Sequence, residues 1–197
     1  KMRRLGIETE RSDYLTSVDV TIAALQRERP EKKCYVFGTR SFYSQLRDAG
    51  IPVTARPDPD VDILLCGFDR ELTFQKLEDA CILLNRGAEF WATNPDWVCP
   101  TWYGSVPDCG SVCRMLTTAT GRTPRFLGKP QPDMAVLAMA RTGFAPEQTV
   151  LLGDRLYTDI ACGAGAGIDT VFVLSGGQGD DEDVTEASAM YRYMQRR

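Results

Sequence analysis

Two short stretches hold the residues best suited to chemistry. Gly153-Asp154-Arg155-Leu156-Tyr157-Thr158-Asp159-Ile160 follows directly on the apolar run at 149–152. Ligands of a parallel sheet bind beyond the carboxyl ends of its strands. Asp154 is therefore expected at such an end, with Asp159 a helical turn or so further on. Two carboxylates held together at a crevice repel unless a cation lies between them. The plainer reading makes Asp154 a cap on the next helix, and spacing alone leaves both readings open. The second stretch, Gly128-Lys129-Pro130, also follows a strand candidate. A lone lysine is usually surface decoration. Here the flanking glycine and proline constrain the backbone and place the ammonium at the same edge. There it can neutralise a phosphoryl group and a carboxylate.

Composition narrows the chemistry. The 197-residue chain contains no histidine, which removes Ser-His-Asp and Cys-His catalysis and histidine zinc sites. Acid–base work then falls to carboxylates, lysine, tyrosine or cysteine, and an oxygen-lined metal site favours magnesium over zinc. The net charge of −4 lacks the basic excess that grips nucleic acid, so no nucleic-acid partner is expected. No apolar run reaches the roughly 18 residues of a bilayer span, and no signal-peptide pattern opens the chain, so no membrane partner is expected. Seven cysteines, none in Cys-x-x-Cys spacing, fit a reducing cytoplasm. Cys34 and Cys66 sit in apolar runs and read as small core residues. The acids from Asp180 to Glu186 read as a solvated helix start.

The elements that must position these residues alternate. Strands are expected at 33–38, 61–67, 89–93, 125–128, 149–153 and 170–174. Helices are expected at 41–49, from a Thr73 cap to Gly87, at 111–120 to Gly121, and from near Pro132. Apolar strands alternating with helices predict an α/β fold with parallel sheets. The Pro- and Trp-containing stretch at 95–110 is the expected domain border. Trp91, Trp97 and Trp102 are read as cap-core and border packing. Gly163-Ala164-Gly165-Ala166-Gly167 lacks Gly-x-Gly-x-x-Gly spacing and follows a helix, so it reads as helix–strand packing and not a dinucleotide loop.

Taken in order, these motifs resemble the haloacid-dehalogenase (HAD) superfamily phosphatases of the NagD-like and 4-nitrophenylphosphatase-like kind. The resemblance rests on LGIE near the start, Thr16-Ser17, YVFG, the stretch at 61–70 ending Gly-Phe-Asp-Arg, and Ala92-Thr93-Asn94-Pro95-Asp96. It continues through Gly128-Lys129-Pro130, GDRLYTDI and TVFVLSG. It implies a HAD-like core with a parallel sheet and an inserted smaller α/β cap. The implied division is a core remnant at 1–17, a cap at 18–105 and the rest of the core at 106–197. It further implies a Mg2+-dependent hydrolysis of a small phosphorylated metabolite through an aspartyl-phosphate. In that scheme Lys129 stabilises phosphate and nucleophile, Asp154 ligates the metal, and Asp159 supports it less directly. Asn94, Asp96 and Arg155 become substrate-binding candidates, although Asn-Pro-Asp is turn chemistry in any case. A homo-oligomer formed through the cap is a further expectation.

The family's Asp-x-Asp nucleophile motif follows the first core strand, and that strand is expected to precede Lys1. Asp58-Pro59-Asp60 and Asp181-Glu182-Asp183 match it only as text, since neither directly follows an apolar strand. Two rivals remain: a non-catalytic protein that keeps the fold, and a nucleotide-binding doubly wound domain, which the glycine spacing disfavours.

Overall fold

The computed structural model describes residues 2–174. Asp181-Glu182-Asp183 and the acidic run around it lie outside the described residues.

Five strands form one parallel sheet: β1 (Cys34–Phe37), β2 (Val53–Thr54), β3 (Ile63–Cys66), β4 (Glu89–Ala92) and β7 (Arg125–Phe126), in the order β2-β1-β3-β4-β7. Every residue of β1 and β3 is buried, as expected for parallel strands covered on both faces. Alternation sorts their side chains. Tyr35, Phe37, Leu64, Cys66, Phe90 and Ala92 pack against α3 (Phe74–Arg86) and α4 (Cys109–Thr120). Cys34, Val36, Ile63, Leu65 and Trp91 pack against α1 (Ser17–Glu28) and α2 (Arg40–Asp48). Each fully buried leucine or isoleucine contributes about 1.5–3 kcal/mol, so these two layers carry most of the stability.

Local signals set the helix ends. The Thr73 hydroxyl accepts from the Lys76 amide at the start of α3, and Gly87, at φ 99°, ends it in the left-handed region. Asp108 caps α4 by accepting from the Cys109 amide at 2.6 Å. The α4 helix and β7 lie past residue 105, yet α4 packs on the five-stranded sheet and β7 pairs with β4.

A second, two-stranded parallel sheet pairs β8 (Val150–Gly153) with β9 (Asp169–Phe172). The α5 helix (Asp133–Thr142) and α6 (Ala161–Ala166) cover one of its faces through Ala135, Cys162, Ile168 and Leu151. Val150, Leu152 and Val171 on the other face are exposed, so β8 is not the buried strand its apolar run implies.

The 95–110 stretch also differs from its reading as a loop. It holds an antiparallel hairpin of β5 (Val98–Thr101) and β6 (Gly104–Pro107). Trp102 stands at its tip, 94% exposed and edge-on to Tyr103. The packing role expected of Trp102 is therefore wrong, because a two-residue hairpin tip has no second layer against it. Trp91 is buried as expected. Among the described residues no helix is long and apolar enough to cross a membrane.

Candidate active site

The Lys129 and Asp154 stretches were expected at the carboxyl edge of one sheet. They come instead from two sheets whose carboxyl ends meet. Lys129 follows β7 of the five-stranded sheet, and Asp154 follows β8 of the two-stranded one. Lys129 Nζ donates to Asp159 Oδ1 at 2.5 Å, so these two residues converge. Asp159 is buried, and its other oxygen accepts from the Arg155 amide at 3.3 Å.

Glycines make this approach possible. A Cβ on Gly153 would stand 2.2 Å from the Asp159 Cβ, and one on Gly128 would stand 2.3 Å from the Thr93 carbonyl oxygen. Gly153 thus lets the Asp159 side chain lie across the end of β8. Gly128 lets the lysine loop press against the Thr93–Asn94 backbone. A π-helical turn, Leu156–Ile160, carries Asp159 back over Gly153. Asp154 is half-buried directly after β8.

The Asn94-Pro95-Asp96 loop joins the same place. Asp96 Oδ1 forms an ion pair with Arg155 at 3.2 Å. That contact is not aligned as a hydrogen bond, and both Asp96 Oδ1 and Asn94 Oδ1 are buried without a hydrogen-bond partner among the described residues. Burial raises the Asp96 carboxyl above its ordinary range, against the opposing pull of Arg155 and Lys129. Burial also disfavours the Arg155 cation, but Asp96, Tyr157, Asp154 and Asp159 outweigh it and hold Arg155 charged. Asp96, Arg155, Asp159 and Lys129 therefore form one chain of charge across the junction.

One residue of this region was not singled out from sequence. Asp108 is buried, and desolvation raises its carboxyl to about 6, with the Asp96 charge adding to the effect and the Cys109 amide and Asn94 side chain opposing it. Its only sequence signal is an aspartate ahead of a helix, which any exposed cap would also show. Gly110 holds the loop from below: its amide donates to the Asp96 carbonyl at 2.8 Å, and a Cβ there would meet the Pro95 oxygen at 2.0 Å.

Oxygen donors dominate the junction, which suits a hard cation. The Asp154 carboxylate is tied up by no hydrogen bond or ion pair among the described residues. Both Asp159 oxygens are engaged by protein donors. The donor set therefore fits a magnesium ion held directly by Asp154 and supported by Asp159.

Known proteins share the fold. Residues 126–193 match the HAD-hydrolase-like family model. An acid sugar phosphatase of Staphylococcus epidermidis is 31% identical over 176 residues, covering 89% of this chain and 67% of the relative. The 4-nitrophenylphosphatase of Thermotoga maritima superposes with a TM-score of 0.84 at 32% identity, over 94% of this chain and 70% of that one. A glycerol phosphate phosphatase of Mycobacterium tuberculosis, solved in complex with magnesium, gives 0.83 at 30% identity, over 89% and 53%. The chain belongs to the HAD-like hydrolases. Within them it is similar to the NagD and p-nitrophenylphosphatase group of phosphatases.

Proposed function

We propose that this chain is the greater part of a Mg2+-dependent phosphatase that hydrolyses small phosphate monoesters through an aspartyl-phosphate. The observation that carries the reading is the Lys129–Asp159 contact beside Asp154 at the end of β8. It ties the lysine to the turn that follows Asp154, which supports phosphoryl transfer by positioning.

Asp154, with Asp159 behind it, would hold the magnesium, which when bound neutralises charge on the phosphoryl oxygens. Lys129 offsets charge on the same group and on the attacking carboxylate. Asp159 fixes the Lys129 ammonium in place. The Asp58-Pro59-Asp60 carboxylates lie at the amino side of β3 and are paired with Lys33 at 3.1 and 2.9 Å. That is the edge opposite Asn94 and Lys129, so neither is assigned the attack. The proposal takes the attacking aspartate from outside residues 1–197.

The five-stranded unit is read as the cap and the β8–β9 unit as core. The pairing of β7 with β4 supports extending the cap beyond 18–105 to about residue 126. Asn94, Asp96 and Arg155 then face the substrate from the cap side and the core side. A buried acceptor without a partner costs about 1–3 kcal/mol, and a donor on the substrate would satisfy Asn94 Oδ1. A small phosphorylated metabolite such as a sugar or glycerol phosphate is the proposed substrate class. A cytoplasmic setting and a homo-oligomer through the cap belong to the same proposal.

Phosphate release from a panel of sugar phosphates, glycerol phosphate and 4-nitrophenyl phosphate tests this reading. Asn94→Ala should change the kcat/KM ratios across the panel while magnesium dependence persists. Unchanged ratios would remove Asn94 from substrate selection, and no release from any ester would remove the reading itself.

A further inference from the structure

Three of the seven cysteines meet at one point beneath the Asn94–Asp96 loop, with Cys109 directly after the buried Asp108. Cys66 ends β3, Cys109 opens α4, and Cys113 lies one turn further along the same helix. All three are buried. Cys109 Sγ lies 3.9 Å from Cys66 Sγ and 3.9 Å from Cys113 Sγ, and the three sulfurs are all within 4.8 Å of one another. Sulfurs sharing one ion at a metal–sulfur distance of about 2.3 Å stand roughly 3.8–4.0 Å apart.

We propose that Cys66, Cys109 and Cys113 form a closed, structural site for a thiophilic d10 cation, with zinc the ion it suits. Thiolate donors select such ions over magnesium, so this site is chemically distinct from the carboxylate junction. Binding exchanges three S–H protons for one Zn2+, with no electron transferred, and leaves a single net negative charge. That charge sits at the amino end of α4, where the helix dipole favours it. The Cys66 carbonyl oxygen, which accepts from the Thr93 amide, lies 3.5 Å from Cys109 Sγ.

The site would act on the loop above it. The Thr93 amide donates to the Cys66 carbonyl at 2.9 Å, its hydroxyl lies 3.9 Å from Cys109 Sγ, and Gly110 grips the Asp96 carbonyl. An ion at the three sulfurs clips β3, α4 and the Asn94–Asp96 loop together.

The full protein, refolded in reductant with one equivalent of Cd2+ as a spectroscopic stand-in for Zn2+, tests the site. A sulfur-to-cadmium charge-transfer band should appear and saturate at one ion, which oxygen ligands cannot produce. Zn2+ should displace it, and Mg2+ should not. Cys66→Ala and Cys113→Ala should each abolish the band while Cys99→Ala keeps it, with circular dichroism confirming folding. If the alanine variants misfold, X-ray absorption of the zinc-loaded wild type should show a shell of three sulfurs. Plain core packing predicts no band in the wild type, or one that survives both substitutions, and either result overturns the proposal.

Discussion

Lys129 Nζ and Asp159 Oδ1 stand 2.5 Å apart although 30 residues separate them in the chain. The contact ties the loop after β7 to the turn after β8 and brings the two sheets' carboxyl ends together. Lys129→Met should therefore lower kcat on 4-nitrophenyl phosphate by about 10²–10³, the loss typical of removing one preorganised charge-stabilising group. Asp159→Asn should lose less, because the amide oxygen still accepts from Arg155 while the lysine loses its anchor. Steady-state kinetics of the two variants check the order, and wild-type turnover in Lys129→Met would contradict it.

The same junction depends on missing side chains. Gly153→Ala drives a methyl into Asp159, and Gly128→Ala drives one into the Thr93 carbonyl. Each should destabilise the fold by about 1–3 kcal/mol and lower turnover together with stability. Gly165 is in α6 with its nearest neighbour, Pro132, at 3.6 Å, so Gly165→Ala should be neutral or stabilise by up to about 1 kcal/mol. Urea midpoints of the three variants settle the ranking.

Asp108 supplies a pH signature. Its folded carboxyl titrates at about 6, above the ordinary 3.8, because burial disfavours the charge. Between those values the folded protein binds the proton more tightly than the unfolded chain does. This group's contribution is thus most favourable below about pH 4 and is lost as pH rises through about 6. Asp108→Asn keeps a capping side chain and removes the buried charge. The variant should gain stability over wild type as pH rises through that window, reaching on the order of 1–3 kcal/mol near neutrality. Denaturation at several pH values measures the difference, and a gap that shrinks with rising pH would show that Asp108 is not buried as described.

Much of this was visible in the residues alone, for physical reasons. The Thr73 cap, the Gly87 stop and the all-apolar β1 and β3 runs are local signals, and local signals survive into the fold. The hairpin at 98–107 was missed because Pro100 and the Trp102-Tyr103 tip carry no hairpin turn signature. β2 is too short to show alternation. Sheet membership was misjudged because the short stretches that become β7 and β8 carry no local mark of their partners, and only long-range pairing separates them. Asp96 and Arg155 could be named as candidates, but not their pairing across the chain. Cys66 looks like any small core residue until Cys109, 43 positions later, is folded against it.

Asp154 tests the account most directly, since it stands directly after β8 with its carboxylate in no hydrogen bond or salt bridge among the described residues. The protein expressed from its complete coding sequence should hydrolyse 4-nitrophenyl phosphate with a saturable dependence on magnesium. Asp154→Asn, folded to the same extent, should lose that dependence and most of its turnover. A magnesium titration of wild type and variant side by side gives the answer. Coincident curves would contradict the assignment of Asp154 as the metal ligand and, with it, the proposed mechanism.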